Sequence, residues 1–466
     1  MLSKKLSFIL FFIILIEGFF TLSLELLVIR QTIPFVGNGT EMVSIIISSV
    51  LFPLSVGYYY GGKKYSSLFK KNNKVKIRNI LIKNIFIITM LSGFGFSYIV
   101  MDFYFKYLNL SSLMLSLSIY LFFFLAIPTY LLGQTVPLLS NYFSSEQMSK
   151  VTGKILFIST AGSFLGSIIT VLILMRFIGV SSTLILIELL LLSLTILISK
   201  NKIYPIFISS FIIIIIILFS SLGQKVYNIE YENTYNTVSV IDSNETRLLM
   251  INNSYSSMTS KNNTVFWDYV NVINKIIKQN NISTPKDILV IGAGGFTIGF
   301  NDTFNNYIYV DLDENLKDIS ENKFLKEKLK DNKTFYIGEI RKYLNESDKK
   351  YDLIIVDAYT NRNSIPFSLV TMEFYTQIKT KLKKDGVVIS NIITDMFLNT
   401  KYARNMDLTI RKNFSKVIII PLYDQNKLNL NKLNSINSLY ILKDVIEDKA
   451  IYTDDLNQVN FDTKKI

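Results

Sequence analysis

At 466 residues, half of them hydrophobic and with a formal charge of +13, the chain is long enough for two or three domains. It contains no cysteine and no histidine, which excludes disulfides, thiolate and imidazole metal sites, cysteine nucleophiles and any Ser-His-Asp triad. A general base must then be a carboxylate, a tyrosine or a lysine, and no metal site is expected. The charge is uneven: residues 1–223 carry 17 basic and 6 acidic side chains, while residues 224–466 carry 32 and 30. Positive charge lodged between apolar segments points to a membrane surface rather than to nucleic acid, so no nucleic-acid partner is expected.

Leu6 to Ile29 is the first apolar span, longer than a signal-peptide core and without a small-residue cleavage site, and reads as a retained helix. Further spans follow at Met42–Tyr60, Ile85–Phe105, Leu113–Leu132, Ile155–Ile178, Thr183–Ile198 and Ile203–Leu222. Each approaches the roughly 20 residues a helix needs to cross a bilayer. Glu17, Glu25, Asp102 and Glu188 fall in these spans and read first as polar glue between helices, with a substrate or proton path as the alternative. Glu25 is expected to pair with Arg30, and Gly153, Ala161, Gly162, Gly166 and Ser167 suit close helix packing. Eight basic residues between Gly61 and Asn84 read as a cytoplasmic loop, on the same side as Lys4, Lys5, Lys150, Lys154, Lys200 and Lys202. Seven crossings would then deliver residue 224 onward to the outer side, and the side of the second half stays open.

From Val226 the pattern becomes alternating. Tyr235–Ile241, a turn at Asp242-Ser243-Asn244 and Arg247–Ile251 predict a β-hairpin, and Phe266–Gln279 predicts a helix. Ile288-Leu289-Val290-Ile291 is a buried parallel strand broken by Gly292-Ala293-Gly294-Gly295, where a sharp turn and a helix start would aim free N–H groups at a ligand. A second strand, Tyr307–Val310, ends in Asp311-Leu312-Asp313, and Asp311 stands nineteen residues after Gly292, the spacing at which a carboxylate meets ribose hydroxyls. Thr297 occupies the place of a third glycine, which favours an S-adenosylmethionine-type site over a dinucleotide site. A charged helix near 314–330, strands at 334–337, 351–357, 386–393, 417–422 and 438–442, and a helix at 374–382 complete an alternation that predicts a mostly parallel sheet.

The second half resembles the spermidine synthase family over about residues 226–445. The likeness rests on five stretches in order: Tyr235–Val240, Leu249–Ser257, the Gly292 loop with Val310–Asp313, Ile337–Leu344, and Tyr351–Asp357 with Glu373-Phe374-Tyr375 and Lys384–Val387. The first half is similar to the multi-span region fused to such domains in some bacterial proteins, through Glu25–Arg30, Gly57–Gly62 and Ile127–Pro137. The expected fold is a multi-span α-helical membrane domain (1–223), a β-hairpin and linker helix (224–285) and an α/β methyltransferase-like, Rossmann-type domain (286–466).

The resemblance implies a transferase with no permanently bound cofactor and decarboxylated S-adenosylmethionine, or S-adenosylmethionine, as co-substrate. Gly292, Gly294, Gly295, Asp311, Asp313 and Glu339 would hold it, Asp311 at the ribose and Glu339 at the adenine amino group. Asp357 takes the first acidic position of the active-site loop, while Thr360 stands where the family has a second Asp and Ser256 where it has a Gln. Asp357, Tyr359 and Thr360 are therefore the candidate catalytic positions, with Tyr269 and Ser256 lining the substrate pocket. Expected partners are the lipid bilayer and a small-molecule amine, with a homodimer as a further option, in a multi-pass protein of the cell membrane. A methyltransferase on another acceptor, or a transporter with a nucleotide-sensing domain, remain alternative readings.

Overall fold

Long runs of Ile, Leu and Phe leave the N-terminal half one way to satisfy its backbone away from water, which is to coil it. The computed structural model describes residues 4–37, 39–70, 74–108, 112–140, 148–279, 284–359, 365–395, 397–422 and 436–443, in two units, Met1–Ser239 and Val240–Ile466. The first unit holds helices α1 (Lys4–Val36), α2 (Thr40–Lys70), α3 (Lys74–Gly95), α4 (Tyr98–Tyr107), α5 (Leu113–Ser140), α6 (Ser149–Ile178), α7 (Val180–Ile198) and α8 (Ile203–Val226). Among the described residues seven of them, all but α4, are long and apolar enough to cross a membrane.

The third span departs from expectation. It starts at Lys74 rather than Ile85 and stops at Gly95, where any side chain would collide with the ring of Phe124. Ser97, with ψ 139°, then leaves helical geometry and starts α4 as a separate element. The basic stretch 61–84 is accordingly the ends of two helices rather than an open loop, with 71–73 outside the described residues. Long basic side chains can ride on a helix end and still reach water, so their charge does not stop the coil.

Buried polar groups tie helices together. Ser159 donates to Glu17 (3.1 Å), Ser92 to Glu188 (2.6 Å) and Tyr227 to Asp102 (2.7 Å). Gly162 and Gly166 lie against the backbone of Leu15 and Phe19, so α6 approaches α1 too closely for larger residues. Gly153, expected in the same role, faces open space. Arg30, 4% exposed, donates to the Asn233 carbonyl (2.8 Å) and to Thr237 Oγ1 (3.1 Å), and the Ser181 N–H donates to Glu232 (2.9 Å). These bonds fasten β1 (Ile229–Glu232) and the start of β2 (Thr237–Asp242), which pair antiparallel, to the ends of α1 and α7.

In the second unit the predicted turn closes with the Ser243 N–H on the Thr246 carbonyl, and β3 (Thr246–Ile251) pairs antiparallel with β4 (Ser254–Ser260). After α9 (Asp268–Gln279) come β5 (Asp287–Ile291), β6 (Asn306–Asp311), β7 (Lys333–Ile337), β8 (Tyr351–Val356), β9 (Leu382–Thr394), β10 (Lys416–Pro421) and β11 (Ile436–Lys443). Their order in the sheet is β10-β11-β9-β8-β5-β6-β7, with β5 to β9 mutually parallel and β11 antiparallel to both of its neighbours, β9 and β10. Helices α10 (Ile340–Glu346), α11 (Met372–Thr380) and α12 (Lys401–Arg411) contribute Leu344, Phe374 and Ile410 to a core with Val388 and Ile392 of β9. The chain leaves β5 towards β6 on one side and meets β8 on the other, and such a reversal opens a crevice at the carboxyl ends of the two central strands.

One expectation fails here. No helix follows the Gly292 turn; residues 294–301 form successive turns, with Phe296 and Gly299 at φ +57° and +71°. Phe296 is buried against Tyr309 and Phe335, Tyr309 donates to the Ile298 carbonyl (2.7 Å), and the Gly299 N–H donates to Asn274 (2.7 Å). These anchors offset the weak helical tendency of a glycine-rich segment. A helix N-terminus is therefore not part of this site. The charged helix expected over 314–330 is also shorter, running as Leu316–Ile319 and continuing to Phe324.

Candidate active site

The crevice is built where β5 and β8 end side by side. The Asp357 N–H donates to the Ile291 carbonyl (2.8 Å), and Gly292 turns there with φ +89°. A Cβ at 292 would collide with the carbonyl oxygen of Asp357, so this close approach requires glycine. At the tip of β6, Asp311 Oδ2 accepts from the Ala293 N–H (2.9 Å) and Oδ1 from the Asp313 N–H (3.2 Å). Burial pushes its carboxyl up to about 6, although both backbone bonds pull the other way. Asp313 is fully buried and accepts from the Asn315 N–H (3.1 Å), which closes the following turn. Glu339, exposed at the start of α10, caps that helix by accepting from the Lys342 N–H (2.7 Å).

Asp357 is the most constrained group of the site. Tyr269 of α9 donates to its Oδ2 and the Asn391 amide to its Oδ1, each at 2.9 Å. Burial raises its pKa, opposed by those two bonds. Burial likewise lifts the Tyr269 phenol well above its ordinary value, with the Asp357 charge adding to it, so Tyr269 keeps its proton and acts as a donor. The Tyr359 hydroxyl accepts from the Ile393 N–H (2.7 Å) and donates to the Asn391 carbonyl (3.1 Å), and burial keeps it protonated too. It thus completes the edge of β9 beyond the point where β8 ends. Ser256 is the extra residue of a β-bulge in β4, between the pairs Leu249 with Ser257 and Met250 with Tyr255, which sets it beside Gly294. Its neighbour Ser257 accepts from the Gly295 N–H (2.9 Å). Thr360 lies outside the described residues.

Two groups here escape the sequence reading. Asn391 is 4% exposed, and its Oδ1 has no hydrogen-bond partner among the described residues. Its signal was an amide inside the apolar run Val387–Ile393, where a buried polar side chain needs a partner. Ser257 gave no comparable sign.

Residues 272–437 match the family model described as the spermine/spermidine synthase domain. Over these residues the chain is similar to the spermidine synthase family. The chain is 29% identical over 149 residues to polyamine aminopropyltransferase 2 of Hyperthermus butylicus, covering 29% of this chain and 46% of that protein. It is 28% identical over 120 residues to polyamine aminopropyltransferase 2 of Aquifex aeolicus, covering 24% and 23%. The match thus spans less than half the length of these two curated relatives. A probable spermidine synthase from Corynebacterium glutamicum superposes with a TM-score of 0.40 at 17% identity, covering 49% of this chain and 85% of that one.

Proposed function

We propose that the chain is a membrane-bound, spermidine synthase-like transferase that uses decarboxylated S-adenosylmethionine, or S-adenosylmethionine, to alkylate an amine. The observation that supports this reading most is Asp357, a buried carboxylate clamped by Tyr269 and Asn391 beside the Gly292 turn. In the proposed reaction the amine lone pair attacks the carbon next to the sulfonium, the carbon–sulfur bond breaks, and its electron pair leaves on sulfur as a neutral thioether. The new ammonium loses one proton to Asp357, whose raised pKa makes it the better acceptor. Asp311 would receive the ribose hydroxyls, Glu339 the adenine amino group, and Gly292, Gly294, Gly295 and Asp313 would shape the loop around the nucleoside. Tyr269 and Ser256 would face the amine, and Tyr359 would hold β9 in register rather than take the proton.

Thr360 lacks the second carboxylate with which the family captures a cationic amine. Putrescine turnover is therefore expected to be slow, and loss of such a group typically costs on the order of 10²–10⁴-fold. The test is product formation by the purified full-length chain from putrescine and each of the two sulfonium donors. Slow aminopropyl transfer that Asp357→Asn abolishes and Thr360→Asp speeds supports the proposal. Turnover unaffected by Asp357→Asn overturns it, and transfer from S-adenosylmethionine alone replaces it with methyl transfer.

A further inference from the structure

The helical unit has a cavity of about 740 Å³ between α3 and α8. One end is polar, formed by Asn79 and Lys83 on α3 and by Ser199, Asn201 and Tyr204 at the α7–α8 turn. The other end is apolar, with Phe86, Met90 and Leu91 on α3 facing Ile212 of α8. From Asn79 to Leu91 the helix rises about 18 Å, close to the ~15 Å that one leaflet contributes to the hydrocarbon core. The two segments that form the polar end carry charge of one sign. Lys76, Arg78, Lys200 and Lys202 flank it in sequence, and no Asp or Glu occurs between residues 61 and 101 or between 189 and 229.

We propose that this cavity binds one anionic phospholipid of the surrounding bilayer, with its phosphate at Lys83, Asn79 and Asn201 and an acyl chain along Phe86, Leu91 and Ile212. A cationic amphiphile would meet Lys83 with like charge, and a zwitterionic lipid would bring a second cation to the same place. Basic pockets between membrane helices select acidic headgroups for this reason. A soluble phosphate compound would leave the apolar end of the cavity unfilled.

The proposal is tested on the full-length protein in neutral detergent, by thermal unfolding with phosphatidylglycerol, phosphatidylcholine or glycerol phosphate added. A lipid that binds the folded state alone raises the unfolding temperature. Phosphatidylglycerol should raise it by several degrees, phosphatidylcholine by less than half as much, and glycerol phosphate not at all. Lys83→Glu should erase the difference between the lipids, and Met90→Trp, which fills the apolar end, should remove the response to both. Equal shifts from the two lipids, a full shift from glycerol phosphate, or a Lys83→Glu protein that still prefers phosphatidylglycerol would overturn it. Should Met90→Trp fail to fold, Lys83→Glu, at an exposed position, decides alone.

Discussion

An alanine at position 292 would have to adopt φ +89° and push its Cβ into the Asp357 carbonyl. We expect Gly292→Ala to destabilise the chain by roughly 1–3 kcal/mol, seen as a lower unfolding temperature, and to displace Asp357 from Gly292. Binding of an adenosine-type ligand at wild-type strength would speak against that. At Asp311 the argument concerns protons. Its carboxyl is raised to about 6 from 3.8, so in the free protein its stabilising contribution is complete below 3.8 and fades as pH rises through about 6. On the proposed reading ribose hydroxyls donate to this carboxyl, and its ionised form is much the stronger acceptor. Ligand affinity should therefore be full above about pH 6 and fall about tenfold per unit below it, as read by calorimetry. Asp311→Ala should weaken binding by on the order of 1–3 kcal/mol and flatten that pH dependence; an unchanged wild-type-like profile in the variant would remove Asp311 from the site. The placement of Gly292 and Asp311 at the tips of β5 and β6 was legible in the sequence because their spacing along two strands is itself the signal. Asn391 and Ser257 were not, since their roles depend on which strand lies alongside.

Elements with an unbroken apolar run were the most legible: β5, β6 and β8 occur where hydrophobic periodicity places them, and six of the seven long helices contain their expected spans, while the third starts at Lys74 instead of Ile85. The glycine loop misled because a turn that precedes a helix in many nucleotide folds is here pinned by Tyr309 and Asn274 instead. Helix α12 went unmarked although Ala403, Met406 and Ile410 give it one apolar face, because charged and amide residues dominate its composition. Strand β9 carries a prediction of its own. Tyr359→Phe removes the hydroxyl that serves both the Asn391 carbonyl and the Ile393 N–H, and should cost about 1–3 kcal/mol of stability. Most of the turnover should survive. A loss of activity above a hundredfold without a fall in unfolding temperature would instead make Tyr359 the proton acceptor.

For the molecule as a whole, the direction of crossing is the issue. Within the helical unit, the end of α1 and the start of α7 both bond residues 232–237, so these ends lie at one face. The basic residues 63–83 instead gather at the end of α2 and along the first half of α3, and Lys200 and Lys202 at the α7–α8 turn, which are the opposite ends of the crossing helices. We propose that the basic face is cytoplasmic, as charge bias dictates. A cysteine introduced at Ser67 in this cysteine-free chain should resist an impermeant thiol reagent in intact cells and react once they are opened. Labelling in intact cells would reverse the orientation.

The fastening of β1 and β2 to Arg30 and Ser181 also bears on any attempt to prepare the second half without the helical unit. Cutting at the end of α8 would keep residues 227–239 but strip away the guanidinium and amide that occupy their carbonyl, hydroxyl and carboxylate groups. What remains is a short ribbon with an uncovered margin, the kind of surface on which separate chains zip together. A shorter fragment that begins at Val240 does not escape this, since it keeps half of β2 and leaves β3 without the rest of the strand beside it; both fragments should clump where the intact chain stays monodisperse.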